Sequence, residues 1–247
     1  GQILFHVCLF FLYKFIIFKI ITQIRKKAKP RGRKIALFPP FLDLRRRVRY
    51  TEGNEFLEAA MDLAKELVLF SHILEQKGFV NGLEGNISLI DREKGRIYIT
   101  PSQHMKLLLD EDGVCVLDLE GRQLAGKYPR TSEFFLHQAI YQSCPEKNAV
   151  VHSHCPYLTA YALLERDFVL PGRTPLHKAF TRLICLPYGK AGTHEVHQGI
   201  EQALKESPVC LLGGHGVVSA ADTLENATGY MEAAEGFAKT LFLSRQI

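Results

Sequence analysis

The sequence predicts an α/β domain in which helices flank a sheet. Three observations predict it. Residues 56–76 set Leu57, Met61, Ala64 and Val68 at helical spacing, and Gly78 closes the run. Short apolar runs, Ala149-Val150-Val151 and residues 209–212, read as buried strands. Helical and extended stretches intermix irregularly without an internal repeat, which is the pattern of a sheet sandwiched by helices.

Taken in order, residues 86–90 and 96–100 read as strands joined by a turn at 91–95, and residues 114–118 as a third strand before a turn at Gly121. Residues 132–142 form a helix with Ser132 as its N-cap. A strand at 149–154 runs into a helix at 156–164. Strands at 182–186 and 209–212 bracket a helix at 194–205, and a long helix at 223–243 closes the chain.

The 247 residues suit one large domain or one domain with an appendage, and 47% apolar residues suffice for a substantial core. Charge divides the chain. Residues 1–49 hold 13 of the 31 basic residues and one of the 26 acids, so residues 50–247 hold 18 and 25. The first segment is +12 and the body −7, so the net +5 is no sign of a nucleic-acid partner. The expected organisation is an apolar and basic extension at 1–49 and a domain at 50–247.

Residues 3–21 are almost wholly apolar, interrupted by His6, Lys14 and Lys19, and the basic stretch 25–34 follows. One reading is a membrane anchor with the body in the cytoplasm. Two lysines inside the apolar run oppose it, because each costs about 2.5–3.5 kcal/mol at mid-bilayer. The other reading is a stretch outside the working protein, since the sequence starts with Gly1. A cleaved secretory signal fits poorly, with no small-residue cleavage site and no charged region before the apolar run. The cysteines Cys8, Cys115, Cys144, Cys155, Cys185 and Cys210 form no C-x-x-C pair and are expected to be reduced, as in the cytoplasm.

Four motifs carry chemistry. His152-Ser153-His154 ends a strand, where residues i and i+2 share a face, so two imidazoles stand side by side at its mouth. Alone, the pair also reads as ordinary strand histidines. Gly213-Gly214-His215-Gly216 sets a third imidazole in an open glycine turn after a strand. Three nitrogen ligands leave a fourth position for substrate, the mark of a catalytic zinc. Thr131-Ser132-Glu133 opens a helix, where amides and hydroxyls bind anions and Glu133 is placed to move a proton; simple capping is the alternative. Gly85-Asn86 and Thr100-Pro101-Ser102 are polar loops at strand ends, able to cradle a phosphate or merely to turn.

The string GN-I-S, ITPS, TSE-x3-H, VVHSH and GGHG, in that order over about 130 residues, resembles the class II aldolase/adducin-head family across roughly residues 55–243. The resemblance implies a three-layer α/β/α sandwich with a central, mostly antiparallel sheet, assembled as a homotetramer with sites between subunits. It implies one Zn²⁺ per subunit on His152, His154 and His215. Glu133 would be the acid/base, and a ligand when substrate is away. Gly85, Asn86, Ser102, Gln103, Thr131 and Ser132 would surround a substrate phosphate. The implied reaction cleaves a deoxyketose 1-phosphate to dihydroxyacetone phosphate and an aldehyde through a metal-stabilised enediolate, with Lys106, Lys127 and Lys190 left as surface residues. Siblings in the family are a methylthioribulose-1-phosphate dehydratase and a pentulose-phosphate 4-epimerase, the latter disfavoured by Glu133. A non-catalytic adducin-like scaffold would lack the histidines. The sequence departs from the family's aldolases in three places. Gln103 replaces the glycine of T-P-[ST]-G. Residues 171–182 hold no tyrosine, with Arg173, His177 or Lys178 as substitutes. The tail after the last helix is absent.

Overall fold

A computed structural model describes residues 63–172 and 179–247. The extension at 1–49, the start of the first expected helix with Leu57 and Met61, and Arg173, His177 and Lys178 lie outside the described residues. Among the described residues, no helix is long and apolar enough to cross a membrane.

The chain runs α1 (Leu63–Gln76), β1 (Asn86–Asp91), β2 (Arg96–Ile99), β3 (Cys115–Asp118), β4 (Gln123–Ala125), α2 (Phe134–Ser143), β5 (Ala149–Ser153) and α3 (Pro156–Ala162). It continues through β6 (Phe168–Val169), β7 (Arg182–Leu183), β8 (Cys185–Leu186), α4 (Ile200–Glu206), β9 (Val209–Leu212), β10 (Gly216–Ala221) and α5 (Leu224–Ser244). Eight strands form one sheet in the order β4-β3-β2-β1-β5-β10-β9-β8, antiparallel except for the β8–β9 pair. The expected three-layer sandwich and mostly antiparallel sheet are both present.

Strand alternation divides the core into two layers. Ile87, Leu89, Ala149, Val151, Leu211 and Val217 face one layer with α1, α3 and α5. Ile90, Val150, Cys210, Leu212 and Val218 face the other with α2 and α4. Buried on both faces, β5 runs apolar without alternation through Ala149-Val150-Val151, whereas β1 sets buried polar Asn86 and Ser88 on one face. By period, His152 and Asn86 fall on the α2 side, and the register sets them opposite one another.

Several local expectations need correction. The stretch at 182–186 is two strands, because the chain changes partner at Ile184: β7 pairs with β6 in a small separate sheet, while β8 joins β9. Asp167 holds this switch, accepting from the Cys185 N–H at 2.8 Å and pairing with Arg182 at 2.6 Å. The helix expected at 194–205 is a short 3₁₀ turn, His194–His197, followed by α4. Gly199 between them has φ +86°, a left-handed conformation no helix continues through. Central strand β10 and the short β4 and β6 had no sequence-based assignment. Thr223 caps α5 by accepting from the Asn226 N–H at 3.1 Å.

Glu235 of α5, 6% exposed, accepts from the Tyr157 and Leu158 N–H groups at 2.9 and 2.8 Å. It thereby fixes the start of α3, immediately after the His152–His154 segment. Glu235→Ala leaves two buried amides without acceptors and is expected to cost about 2–4 kcal/mol, read as a lower urea midpoint. An unchanged midpoint would show that water replaces the carboxylate.

Candidate functional site

The site stands at one end of the central strands. His152 is the fourth residue of β5 and fully buried; His154 follows the strand's end; His215 sits in the turn between β9 and β10. Gly216 permits the close approach: a Cβ there would stand 2.7 Å from His154 Cδ2 and from the Ser153 carbonyl. Gly214, at φ +64°, makes the left-handed bend before it. The three rings lie 4.8–5.0 Å apart by centroid, and one nitrogen from each falls within 4.8 Å of the others.

Their hydrogen-bond partners decide which nitrogens carry lone pairs. His152 Nδ1 lies 3.0 Å from the Val217 carbonyl, which only accepts, so Nδ1 carries the hydrogen and Nε2 is bare in the neutral ring. His154 Nδ1 faces Glu84 Oε1 at 3.6 Å, an ion-pair contact beyond hydrogen-bond length. The Nε2 atoms of His152 and His154 are 3.2 Å apart. Glu133 adds a carboxylate, Oε2 lying 3.2 Å from His152 Nε2 and Oε1 3.2 Å from His215 Nε2. Oε1 is buried without a hydrogen-bond partner.

Lone pairs and a carboxylate so close repel one another unless a cation sits among them. The spacing fits a metal ion. Nitrogens held about 2.0–2.1 Å from a tetrahedral zinc are about 3.4 Å apart. The donor set, three imidazoles and a carboxylate, suits the same ion. Burial pushes the Glu133 carboxyl up, but His152 and then His215, when charged, more than offset this and hold it below the ordinary carboxylate range.

The expected site residues separate into two groups. His152, His154, His215 and Glu133 come together. Glu133, rather than Ser132, is the N-cap of α2, and its side chain caps nothing because the histidines engage it. Thr131 takes over the local role, accepting from the Glu133 N–H at 3.2 Å. The phosphate candidates lie on three mutually tied loops. Thr100 Oγ1 accepts from the Ile87 N–H at 3.1 Å, Ser102 N–H donates to the Pro129 carbonyl at 2.9 Å, and Pro101 bridges Arg130. Gly85 has φ +76°, and a Cβ there would meet Val80 at 2.5 Å. Asn86 is turned inward: Nδ2 donates to Glu133 Oε2 at 2.8 Å and Oδ1 accepts from His137 Nε2 at 2.5 Å. Gln103 is exposed at φ +50°, the left-handed conformation glycine favours, so its backbone turns like the glycine it replaces and only the side chain differs.

Lys106 also departs from expectation. Only 2% exposed, it donates from Nζ to the Asn81 and Glu84 carbonyls at 2.6 and 3.3 Å, holding the turn that presents Glu84 to His154. Burial brings its pKa down to about 8. Ser88 and His137 stand in the motif string without an assigned role and Tyr141 went unnoticed, yet all three connect to Glu133 through Asn86. The available signal was spacing: Glu133, His137 and Tyr141 recur every fourth residue, and Asn86 and Ser88 share a strand face.

Burial holds His137 down at about 3 and His154 at about 4. In the unfolded chain each titrates near its ordinary value of about 6.5. As pH falls below that, the unfolded state binds protons the native state does not, and stability falls. Metal-free protein is expected to lose about 1.4 kcal/mol per pH unit for each such histidine between pH 6 and 5, measured by urea denaturation. A flat profile there would contradict the burial of these rings.

Residues 65–242 match the class II aldolase and adducin N-terminal domain family. L-fuculose phosphate aldolase of Methanococcus vannielii is 35% identical over 72% of this chain and 94% of its own length. A 5-deoxy-D-ribulose 1-phosphate aldolase of Bacillus thuringiensis is 28% identical over 74% of this chain and 85% of its own. A solved L-fuculose 1-phosphate aldolase superposes with a TM-score of 0.70 at 28% identity, covering 75% of this chain and 87% of that one. With fold, match and relatives in agreement, the chain belongs to the class II aldolase and adducin N-terminal domain family, on its aldehyde-lyase side.

Proposed function

We propose that this chain is a zinc-dependent aldolase that cleaves a deoxyketose 1-phosphate to dihydroxyacetone phosphate and an aldehyde. The observation that carries the reading is the convergence of His152, His154 and His215 with Glu133 on one point. Relatives named for fuculose phosphate and 5-deoxyribulose 1-phosphate support the substrate class. His152, His154 and His215 would hold the metal, with Glu133 at the remaining corner while substrate is away. Zinc there would supply Lewis-acid stabilisation of negative charge on the ketose oxygens.

Cleavage requires a proton to leave the hydroxyl at the carbon becoming the aldehyde, the carbon–carbon bond to break, and a proton to arrive on the carbon of the dihydroxyacetone half. Glu133, ionised and fixed by Asn86, is the group placed to carry protons at that half. The loops at 85–86, 100–103 and 131–132 would hold the phosphate and fix the reacting bond's orientation. Assembly as a homotetramer belongs to the same reading. It is supported by exposed Leu83, Met105 and Leu108 on and beside the turn that carries Glu84. A cytoplasmic setting is supported by the acidic body and by the free thiols among the described residues.

Purified protein is expected to carry one zinc per chain and to release dihydroxyacetone phosphate from a ketose 1-phosphate; a metal-free, inert protein would point to a scaffold. With methylthioribulose 1-phosphate, release of water without carbon–carbon cleavage would favour the dehydratase. Glu133→Gln should keep the metal and lose about 10²–10⁴-fold in turnover; full turnover removes its acid/base role. His154→Ala should lose the metal, and stoichiometric zinc in that variant would strike it from the ligands. Gln103→Gly keeps the left-handed turn and should lower KM by opening the phosphate loop, with stability changed by less than about 1 kcal/mol. A raised KM would mean that the Gln103 side chain binds substrate.

A further inference from the structure

Behind Glu133 runs a chain of four side chains sealed inside the α2 layer. Tyr141 Oη lies 2.6 Å from Ser88 Oγ, Ser88 Oγ 2.6 Å from His137 Nδ1, and His137 Nε2 2.5 Å from Asn86 Oδ1. Asn86 Nδ2 then reaches Glu133 Oε2 at 2.8 Å. Exposure along the chain is 3% at Tyr141, 0% at Ser88 and His137, and 4% at Asn86. Metal binding does not require these groups, and an apolar layer would pack as well without them.

We propose that His137 is a positioning residue for the reaction: through Asn86 it fixes which Glu133 oxygen is held and which is free to take a proton. The direction of every bond follows from the charge at one end. Ionised Glu133 only accepts, so Asn86 must present its amide hydrogens to it and its carbonyl to His137. His137 Nε2 must then be the donor, and in the neutral ring Nδ1 is an acceptor. Ser88 therefore donates to Nδ1 and accepts from Tyr141. Burial favours the neutral ring that this pattern needs. With the tautomer locked, Asn86 cannot flip its amide without setting two acceptors face to face at Glu133 and two donors face to face at His137. Oε2 is thus held by Asn86, while Oε1, which faces His215 Nε2 at 3.2 Å and takes no hydrogen bond from Asn86, is the oxygen left to exchange a proton.

This inference rests on Glu133 as the proton carrier, and the test keeps the two apart. In metal-loaded enzyme, His137→Phe should lower kcat roughly 10–100-fold with KM and zinc content little changed. His137→Gln, which can still donate to Asn86, should recover most of that loss. A purely structural role would lower thermal stability in both variants without this split. Wild-type kcat in His137→Phe, or equal losses in both variants, would overturn the proposal. If His137→Phe does not fold, Ser88→Ala keeps the ring and removes its lock, and unchanged kcat there overturns it equally. Should the wild-type chain cleave no ketose 1-phosphate, the functional reading fails by itself. Nitrogen-15 spectra of the histidines then decide the relay, with His137 expected as the Nε2–H tautomer and a hydrogen on Nδ1 refuting it.

Discussion

The site depends on the register of three adjacent strands. β1, β5 and β10 are antiparallel, and their pairing sets Asn86 opposite His152 and His152 opposite Val218. Side chains alternate across a sheet, so a slip of one residue along β5 would turn His152 into the layer of α1, α3 and α5 and bring Val151 to the place His152 holds beside Glu133. The apolar partners forbid that slip. Val150 and Val151 are both fully buried, each in a separate core cluster, and a shift would exchange an imidazole for an isopropyl group on both sides at once. The geometry of the histidine cluster is therefore enforced by hydrophobic packing some distance from it.

The same packing makes polarity expensive in the α2 layer, and the structure meets that cost unevenly. Ser88, Asn86, His137 and Tyr141 satisfy one another in a continuous series, each bond removing a penalty of about 1–3 kcal/mol for a buried unpaired group. At the far end the pattern is reversed. Three imidazole nitrogens and a carboxylate are crowded together there, with Asn86 the one side-chain amide that donates to Glu133. Such a cluster is stable only with positive charge inside it. Folding thus stores affinity for a cation at one place while leaving no comparable frustration in the polar groups behind it.

How much of this was legible in the sequence follows from how local each signal is. The histidine pair could be read because a strand's period puts i and i+2 on one face, and His215 because glycines on both sides of it announce an open turn. The N-cap assignment failed because local propensity favours Ser132, whereas the site claims Glu133 from residues 19 and 82 positions away; only tertiary structure contains that competition. Strand β10 went unassigned because its start is masked by the glycine turn, although Val217 and Val218 are its apolar core. Lys106 looked exposed because lysine usually is; its burial depends on two carbonyls of a turn more than twenty residues earlier. The break at Gly199 and the partner switch at Ile184 are likewise decisions made by distant groups, the latter by Asp167.

Gln103 shows where such a scaffold can vary without disturbing its chemistry. Its φ of +50° keeps the turn of the loop, so the loop's ties through Ser102 to Pro129 and through Thr100 to Ile87 are preserved. A side chain in a left-handed conformation costs about 1–2 kcal/mol, partly offset by the chain entropy that glycine would lose there, and the domain carries the balance without losing the sheet beneath. Gln103 is exposed, whereas the series behind Glu133 is buried. A change at the exposed position leaves that series in place, because Tyr141, Ser88 and His137 reach Asn86 from the buried side.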